Sequence, residues 1–245
     1  MRLPGVGPEP YNLAVLGEAM NAVAILAAIM VVVGISASPM SDALAQAAPA
    51  GQAAKPSFFN SQEVESTNLK PFTKWTEALE KYSKENALVQ KEGCTSTQFT
   101  ACHYLQWRKF LGTLVGKDKV AQITEVNTYM NKATYIADET NWGQKDYWAS
   151  PGEFMAKFGD CEDYAITKFM SLALLGFDAN NLRVVAVKDL NLKVGHAILA
   201  VFFDDKVYIL DNQISQVVEA KSIRHYEPVF SINQTKWWHH RLGQG

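Results

Sequence analysis

GDCEDYAITKFMSLALLG, residues 159–176, is the stretch from which the rest of the chain can be read. A loop ends at Gly159 and a helix begins. Asp160 is a suitable N-cap, and Gly176 is a suitable C-cap, so residues 161–175 read as a helix with Cys161 in its first turn. At that place the helix dipole and the unpaired backbone N–H groups favour negative charge. A thiol there is expected to have a lowered pKa and more thiolate, which is how a cysteine nucleophile is activated. Asp160, Glu162 and Asp163 work against this by repulsion. A histidine cation or a bound metal ion would offset them.

Downstream, three β-rich runs follow: Arg183–Lys188, His196–Phe203 and Val207–Asp211. The Asp204-Asp205 pair between the last two reads as a hairpin turn. A two-residue turn places His196 opposite Gln213, with Asp211 as a diagonal neighbour on the same face. A turn one residue longer would put Asp211 on the other face. An acid beside a histidine fixes its tautomer and stabilises the imidazolium, as in a Cys–His–acid triad. Cys161, His196 and Asp211 are therefore the candidate catalytic residues. Singly they have blander readings. A histidine at a strand start is usually structural, and Asp-Asn at a strand end is usually a turn. The three could also ligate zinc, although the paired C-x-x-C spacing is missing.

Upstream, residues 72–91 place Phe72, Trp75, Leu79 and Tyr82 at spacings of three and four, one helical face. Tyr104, Trp107, Phe110, Leu111 and Leu114 repeat the pattern over 103–114. A third helix over 117–136 turns Val120, Ile123, Val126, Tyr129 and Met130 inward. These aromatic stripes read as core rather than as a ligand box. Residues 138–153, polar and aromatic with Gly and Pro, read as a loop. The aromatic tail, 225–240, reads as strand and loop packing back. Helices first, then one helix leading into an antiparallel sheet, is an α+β arrangement.

Composition is that of a globular chain: 245 residues, 48% hydrophobic, long enough for one sizeable core. A formal net charge of -2 gives no electrostatic case for nucleic acid. The N-terminus differs in kind. Residues 22–35 carry no charge, and Ala43-Leu44-Ala45 follows as a small-residue site. That reads as a secretory signal peptide over 1–45, cut after Ala45, with an uncleaved anchor as the alternative. Its removal takes away Arg2, Glu9, Glu18 and Asp42 and leaves a neutral balance. Residues 46–57 read as a flexible lead-in, and 58–245 as the folded domain. Of the three cysteines, Cys94 and Cys102 could close a small loop, leaving Cys161 as the free thiol. All three reduced and buried is the other reading. The carboxylate density of Asp160, Glu162 and Asp163 exceeds what capping needs and suits Ca²⁺, though the pattern is not an EF-hand loop.

Beyond the residues' own chemistry there is a resemblance. Asp138, Asn141-Trp142-Gly143, Asp146-Tyr147-Trp148-Ala149-Ser150-Pro151, then Gly159-Asp160-Cys161-Glu162-Asp163-Tyr164-Ala165-Ile166, lead on to His196-Ala197, Leu210-Asp211-Asn212 and Pro228-Val229-Phe230-Ser231. Over roughly residues 60–235 the chain resembles the bacterial transglutaminase-like cysteine proteinases, the family of the periplasmic adhesin-cleaving LapG-type proteases. The resemblance implies a papain-like, transglutaminase-like fold with a helical N-terminal lobe and an antiparallel sheet packed on the nucleophile helix. It puts the catalytic triad on Cys161, His196 and Asp211, and calcium-binding acids on Asp160, Glu162 and Asp163. It implies a calcium-dependent periplasmic endopeptidase that cuts a large surface adhesin near its N-terminus, at a di-alanine site, to release a cell from a biofilm. An inner-membrane cyclic-dinucleotide receptor that sequesters the protease is the implied partner. The chain departs from the family in its Cys94/Cys102 pair and in a signal region poor in basic residues. Trp142 and Trp148 are candidates to line a narrow substrate groove. Two other functions share these residues: a transglutaminase-type acyltransferase, in which an amine resolves the thioester, and a catalytically silent calcium-responsive binding module.

Overall fold

The computed structural model describes residues 58–59, 61–88 and 101–242, with only the backbone of 86–88 and 101–102. The expected signal peptide, the lead-in and the Cys94/Cys102 pairing lie outside these described residues. No helix among them is long and apolar enough to cross a membrane.

Strand β1 (Ser61–Ser66) comes first, followed by helices α1 (Thr73–Leu88), α2 (Ala101–Leu114), α3 (Lys119–Met130), α4 (Asp138–Asn141), α5 (Pro151–Lys157) and α6 (Cys161–Leu174). Then come β2 (Leu182–Asp189), β3 (Val194–Phe203), β4 (Lys206–Leu210), β5 (Val218–Glu219), β6 (Tyr226–Ile232) and β7 (Trp237–Leu242). The strands form one seven-stranded sheet in the order β1-β7-β6-β2-β3-β4-β5, antiparallel throughout. Mixed helix and antiparallel sheet is the α+β class the sequence predicts.

The helical stripes are core. Trp75, Trp107, Leu111, Leu114, Ile123, Val126 and Met130 are buried in one cluster with α6 and with Val184, Leu199 and Val201 of the sheet. Phe72, Leu79, Tyr82, Phe110 and Tyr129 pack against it, half-buried. The two buried indoles satisfy their N–H groups: Trp75 donates to the Asn233 carbonyl at 3.0 Å and Trp107 to Ser171 Oγ at 2.9 Å. α6 is buried from Glu162 to Leu172, the condition of a helix enclosed on all sides. A second cluster fills the other side of the sheet, with Val185, Ile198, Ala200, Phe202 and Ile209 against Phe58, Ile223 and Tyr226. Alternate residues of β2 and β3 thus serve two cores.

Several expectations need correction. Val120 is exposed, because α3 starts only at Lys119, capped by Asp118, and its first turn stands clear of the core. The helix ends at Met130, short of the expected 136. Residues 138–153 are not all loop: α4 lies at their start and α5 begins within them. The Ser150-Pro151 pair that reads as a breaker is a helix start, with Ser150 accepting from the Glu153 N–H at 3.3 Å and Glu153 accepting from the Ser150 N–H at 2.9 Å. A strand, β1, precedes the helices and pairs with β7. The expected tail of strand and loop is two strands, β6 and β7.

Candidate active site

α6 and the β3–β4 hairpin bring the three candidate residues together. The hairpin turns on Asp204 and Asp205, both at positive φ (51° and 55°), the backbone of a tight two-residue turn. The register that results, Leu199 opposite Leu210 and Phe203 opposite Lys206, is the one expected. Asp211 follows directly on β4, and its Oδ1 receives His196 Nε2 at 2.9 Å. Both side chains are buried. A carboxylate only accepts, so Nε2 carries the proton and Nδ1 is left as the basic nitrogen. The Gln213 amide nitrogen faces Nδ1 at 3.3 Å.

Asp211 is held on all sides. Its Oδ1 also accepts from the Gln213 N–H at 2.8 Å, its Oδ2 from Tyr226 Oη at 2.7 Å, and its carbonyl from Asn131 Nδ2 at 2.7 Å. Burial pushes the carboxyl up, but the hydrogen bonds and charge of His196, with the other donors, outweigh it and hold Asp211 below its ordinary value. Tyr226 also stands against the His196 ring, with centroids 5.6 Å apart. We expect Tyr226→Phe to lower kcat about tenfold and stability by about 1–2 kcal/mol, since it removes one bond to a charged acceptor. With a donor gone, Asp211 protonates at higher pH, so the acid limb of the rate profile moves up. An unmoved limb would limit Tyr226 to packing.

Cys161 starts α6, partly exposed, and the backbone N–H of Ala197, next to His196, is directed at its sulfur. The thiol donates to Glu162 Oε2 at 3.1 Å. With no cation present its pKa is raised, by burial first and then by the Glu162 and Asp160 carboxylates, against the Ala197 N–H; this is the opposition that a metal ion or a histidine cation is expected to offset. Tyr135, exposed, lies beside this group and bridges its backbone to Gly159. Lys168, further along α6, is fully buried and its Nζ has no hydrogen-bond partner. Burial pulls it down to about 7, against the pull of the Asp211 charge.

The acids form two groups, each with ligand atoms within 4.8 Å of one another: Asp160, Cys161 and Glu162, and Asp138, Asp160 and Asp163. Asp138 is the member that sequence reasoning missed as a ligand. Asp163 Oδ1 accepts from the Ala149 N–H at 2.7 Å and Oδ2 from the Asp160 N–H at 3.3 Å, which fixes its rotamer. Gly159 packs so closely here that any Cβ would overlap the Asp163 carboxylate. Oδ1 of Asp138 and of Asp160 are buried without a hydrogen-bond partner. Burial, then the charge of Asp160, pushes Glu162 up to about 9, and burial raises Asp138, Asp160 and Asp163 as well. Packed carboxylates with orphaned oxygens fit a hard dication such as Ca²⁺. Neither group includes His196.

Trp142 and Trp148 make their contacts within the segment from α4 to α5. Trp142 stacks on Tyr147 with centroids 4.4 Å apart and takes Lys157 over its face, and Trp148 Nε1 donates to Asp146 Oδ1 at 2.9 Å.

Comparison with known proteins gives the family. The family described as bacterial transglutaminase-like cysteine proteinase BTLCP matches residues 90–241. Calcium-bound LapG of Legionella pneumophila is similar at 29% identity and a TM-score of 0.55, over 64% of this chain and 87% of that one. The EGTA-treated form of the same protein is similar at 27% identity and a TM-score of 0.55, over 65% and 86%. No curated protein matches. With a match that spans more than half its length and a sheet packed on the cysteine helix, the chain belongs to the bacterial transglutaminase-like cysteine proteinases.

Proposed function

We propose that this LapG-type cysteine protease uses Cys161 as nucleophile, His196 as base and Asp211 as the group that orients it. The observation that carries this reading is the buried His196–Asp211 pair with its basic Nδ1 left over, beside a cysteine at a helix N-terminus. Nδ1 takes the thiol proton as sulfur adds to the scissile carbonyl. The same proton passes to the leaving amine as the C–N bond breaks, and a thioester forms. His196 then deprotonates a water that attacks the thioester and returns its proton to sulfur. In this reading backbone N–H groups at the start of α6 stabilise the oxyanion. Asp138, Asp160, Glu162 and Asp163 are the residues that would hold calcium. A bound dication neutralises the carboxylates around the thiol and so favours the thiolate.

The substrate in this reading is the N-terminal region of a large surface adhesin, cut at a di-alanine site in the periplasm, under the control of an inner-membrane cyclic-dinucleotide receptor. The solved LapG structures, calcium-bound and EGTA-treated, support the calcium part. The test is incubation of the protein with the N-terminal region of the same organism's large adhesin, followed by sequencing of the new N-terminus. A single cut between two alanines is expected. An intact adhesin region, with Cys161 reactive to iodoacetamide, would show that the substrate is of another kind.

A further inference from the structure

The turn between β2 and β3 presents Leu190, Leu192 and Val194 to solvent, at 44%, 60% and 50% exposure. Three large apolar side chains within five residues are more than the scattered single exposures common on protein surfaces. The turn that displays them is tied down. Asp189, buried, accepts from the N–H groups of Asn191 and Leu192 at 2.8 and 3.0 Å through Oδ1, and from Lys193 at 2.8 Å through its carbonyl. Lys193 is held at φ 60°. Leu190 donates its N–H to the His225 carbonyl at 2.8 Å. The display is thus fixed in advance, so its apolar residues gain little by collapsing on one another and are ready to bind without ordering cost.

Its position says what it binds. Val194 lies two residues before His196, on the same face of β3 by strand alternation. His225, which anchors Leu190, packs tilted against Tyr226 with centroids 4.3 Å apart, and Tyr226 holds Asp211. The apolar turn therefore continues the rim of the catalytic centre and shares its supports. We propose that Leu190, Leu192 and Val194 form a specificity surface that takes apolar side chains of the extended substrate segment flanking the scissile bond.

This inference rests on the proteolytic reading of Cys161, His196 and Asp211. It accounts for selection around a pair of small residues, which alone offer little to recognise. Its test is a double-mutant cycle. One partner is the enzyme variant Leu190→Ser/Leu192→Ser/Val194→Ser. The other is the adhesin region with the apolar residues within four positions of the cut changed to serine. Each change alone is expected to lower kcat/KM about tenfold or more, mostly through KM, and both together no further. Alkylation of Cys161 by iodoacetamide should stay at the wild-type rate in the variant. Independent, multiplying losses, or no loss in the enzyme variant, would overturn the inference and leave the protease assignment standing. An adhesin region left uncut by wild-type enzyme whose thiol still alkylates would instead overturn the substrate reading, and this inference with it.

Discussion

Cys161→Ala should abolish cleavage, with kcat falling on the order of 10⁴-fold or more, as expected when the nucleophile of a concerted triad is removed. The fold should be untouched. The side chain is small and partly exposed, and its one side-chain hydrogen bond is to Glu162, itself crowded by Asp160 and Asp163. A melting temperature at or slightly above wild type is expected. Asp211→Ala makes the contrast. It too should cost several orders of magnitude in rate, but it also strips a buried acceptor from His196, Tyr226 and the Gln213 N–H. Three donors left unsatisfied should destabilise the protein by about 3 kcal/mol or more. Activity assays paired with thermal denaturation of the two variants separate the roles: inert and stable for Cys161→Ala, inert and weakened for Asp211→Ala. Full cleavage by the alanine variant at 161 would remove the nucleophile assignment.

Chelation is the second large effect. EGTA should lower activity about 100-fold or more and slow alkylation of Cys161, because the positive charge that offsets the acids around the thiol is removed. The pH dependence gives a test with a sign. Glu162, at about 9, and Asp138, Asp160 and Asp163 all lie above their ordinary values without a cation. A carboxyl with a raised folded pKa binds more protons folded than unfolded between its ordinary value and its raised one. Stability in EGTA should therefore fall as pH rises from about 5 to 9. Excess calcium should reverse or flatten that slope, since it binds the deprotonated acids. Melting curves at pH 5, 7 and 9, with EGTA and with calcium, check both halves. Parallel slopes in the two conditions would count against a metal site at these residues.

The sequence made some elements plain and left others hidden, for physical reasons. The stripes of α1, α2 and α3 were legible because apolar residues recur every three or four positions within each helix, as Phe72, Trp75 and Leu79 do in and just before α1. The His196–Asp211 alignment was legible because a two-residue turn fixes register over the whole hairpin. β1 was not, because Ser61–Ser66 is an edge strand whose one apolar residue, Val64, is exposed. It has no alternation to read. α5 was hidden because Ser, Pro and Gly mark both a loop and a helix start. In the site, Cys161, Asp160, Glu162 and Asp163 share one short motif. Asp138, Tyr226 and Lys168 reach the same place from α4, β6 and deep in α6. Their roles depend on tertiary approach, and singly each is an ordinary acid, aromatic or base. At the thiol, the opposing carboxylates were legible in the motif, whereas the burial that strengthens them was not.

β1 joins the sheet only through β7, where Ser61 faces Leu242 and Ser66 faces Trp237. That pair closes a loop of almost the whole domain. During synthesis residues 61–66 emerge early and wait, unpaired, until 237–242 leave the ribosome. The edge of the sheet is thus the last part able to form, and pairings at so long a separation form slowly. A chain interrupted before β7 keeps β6 as an open edge able to pair with other chains.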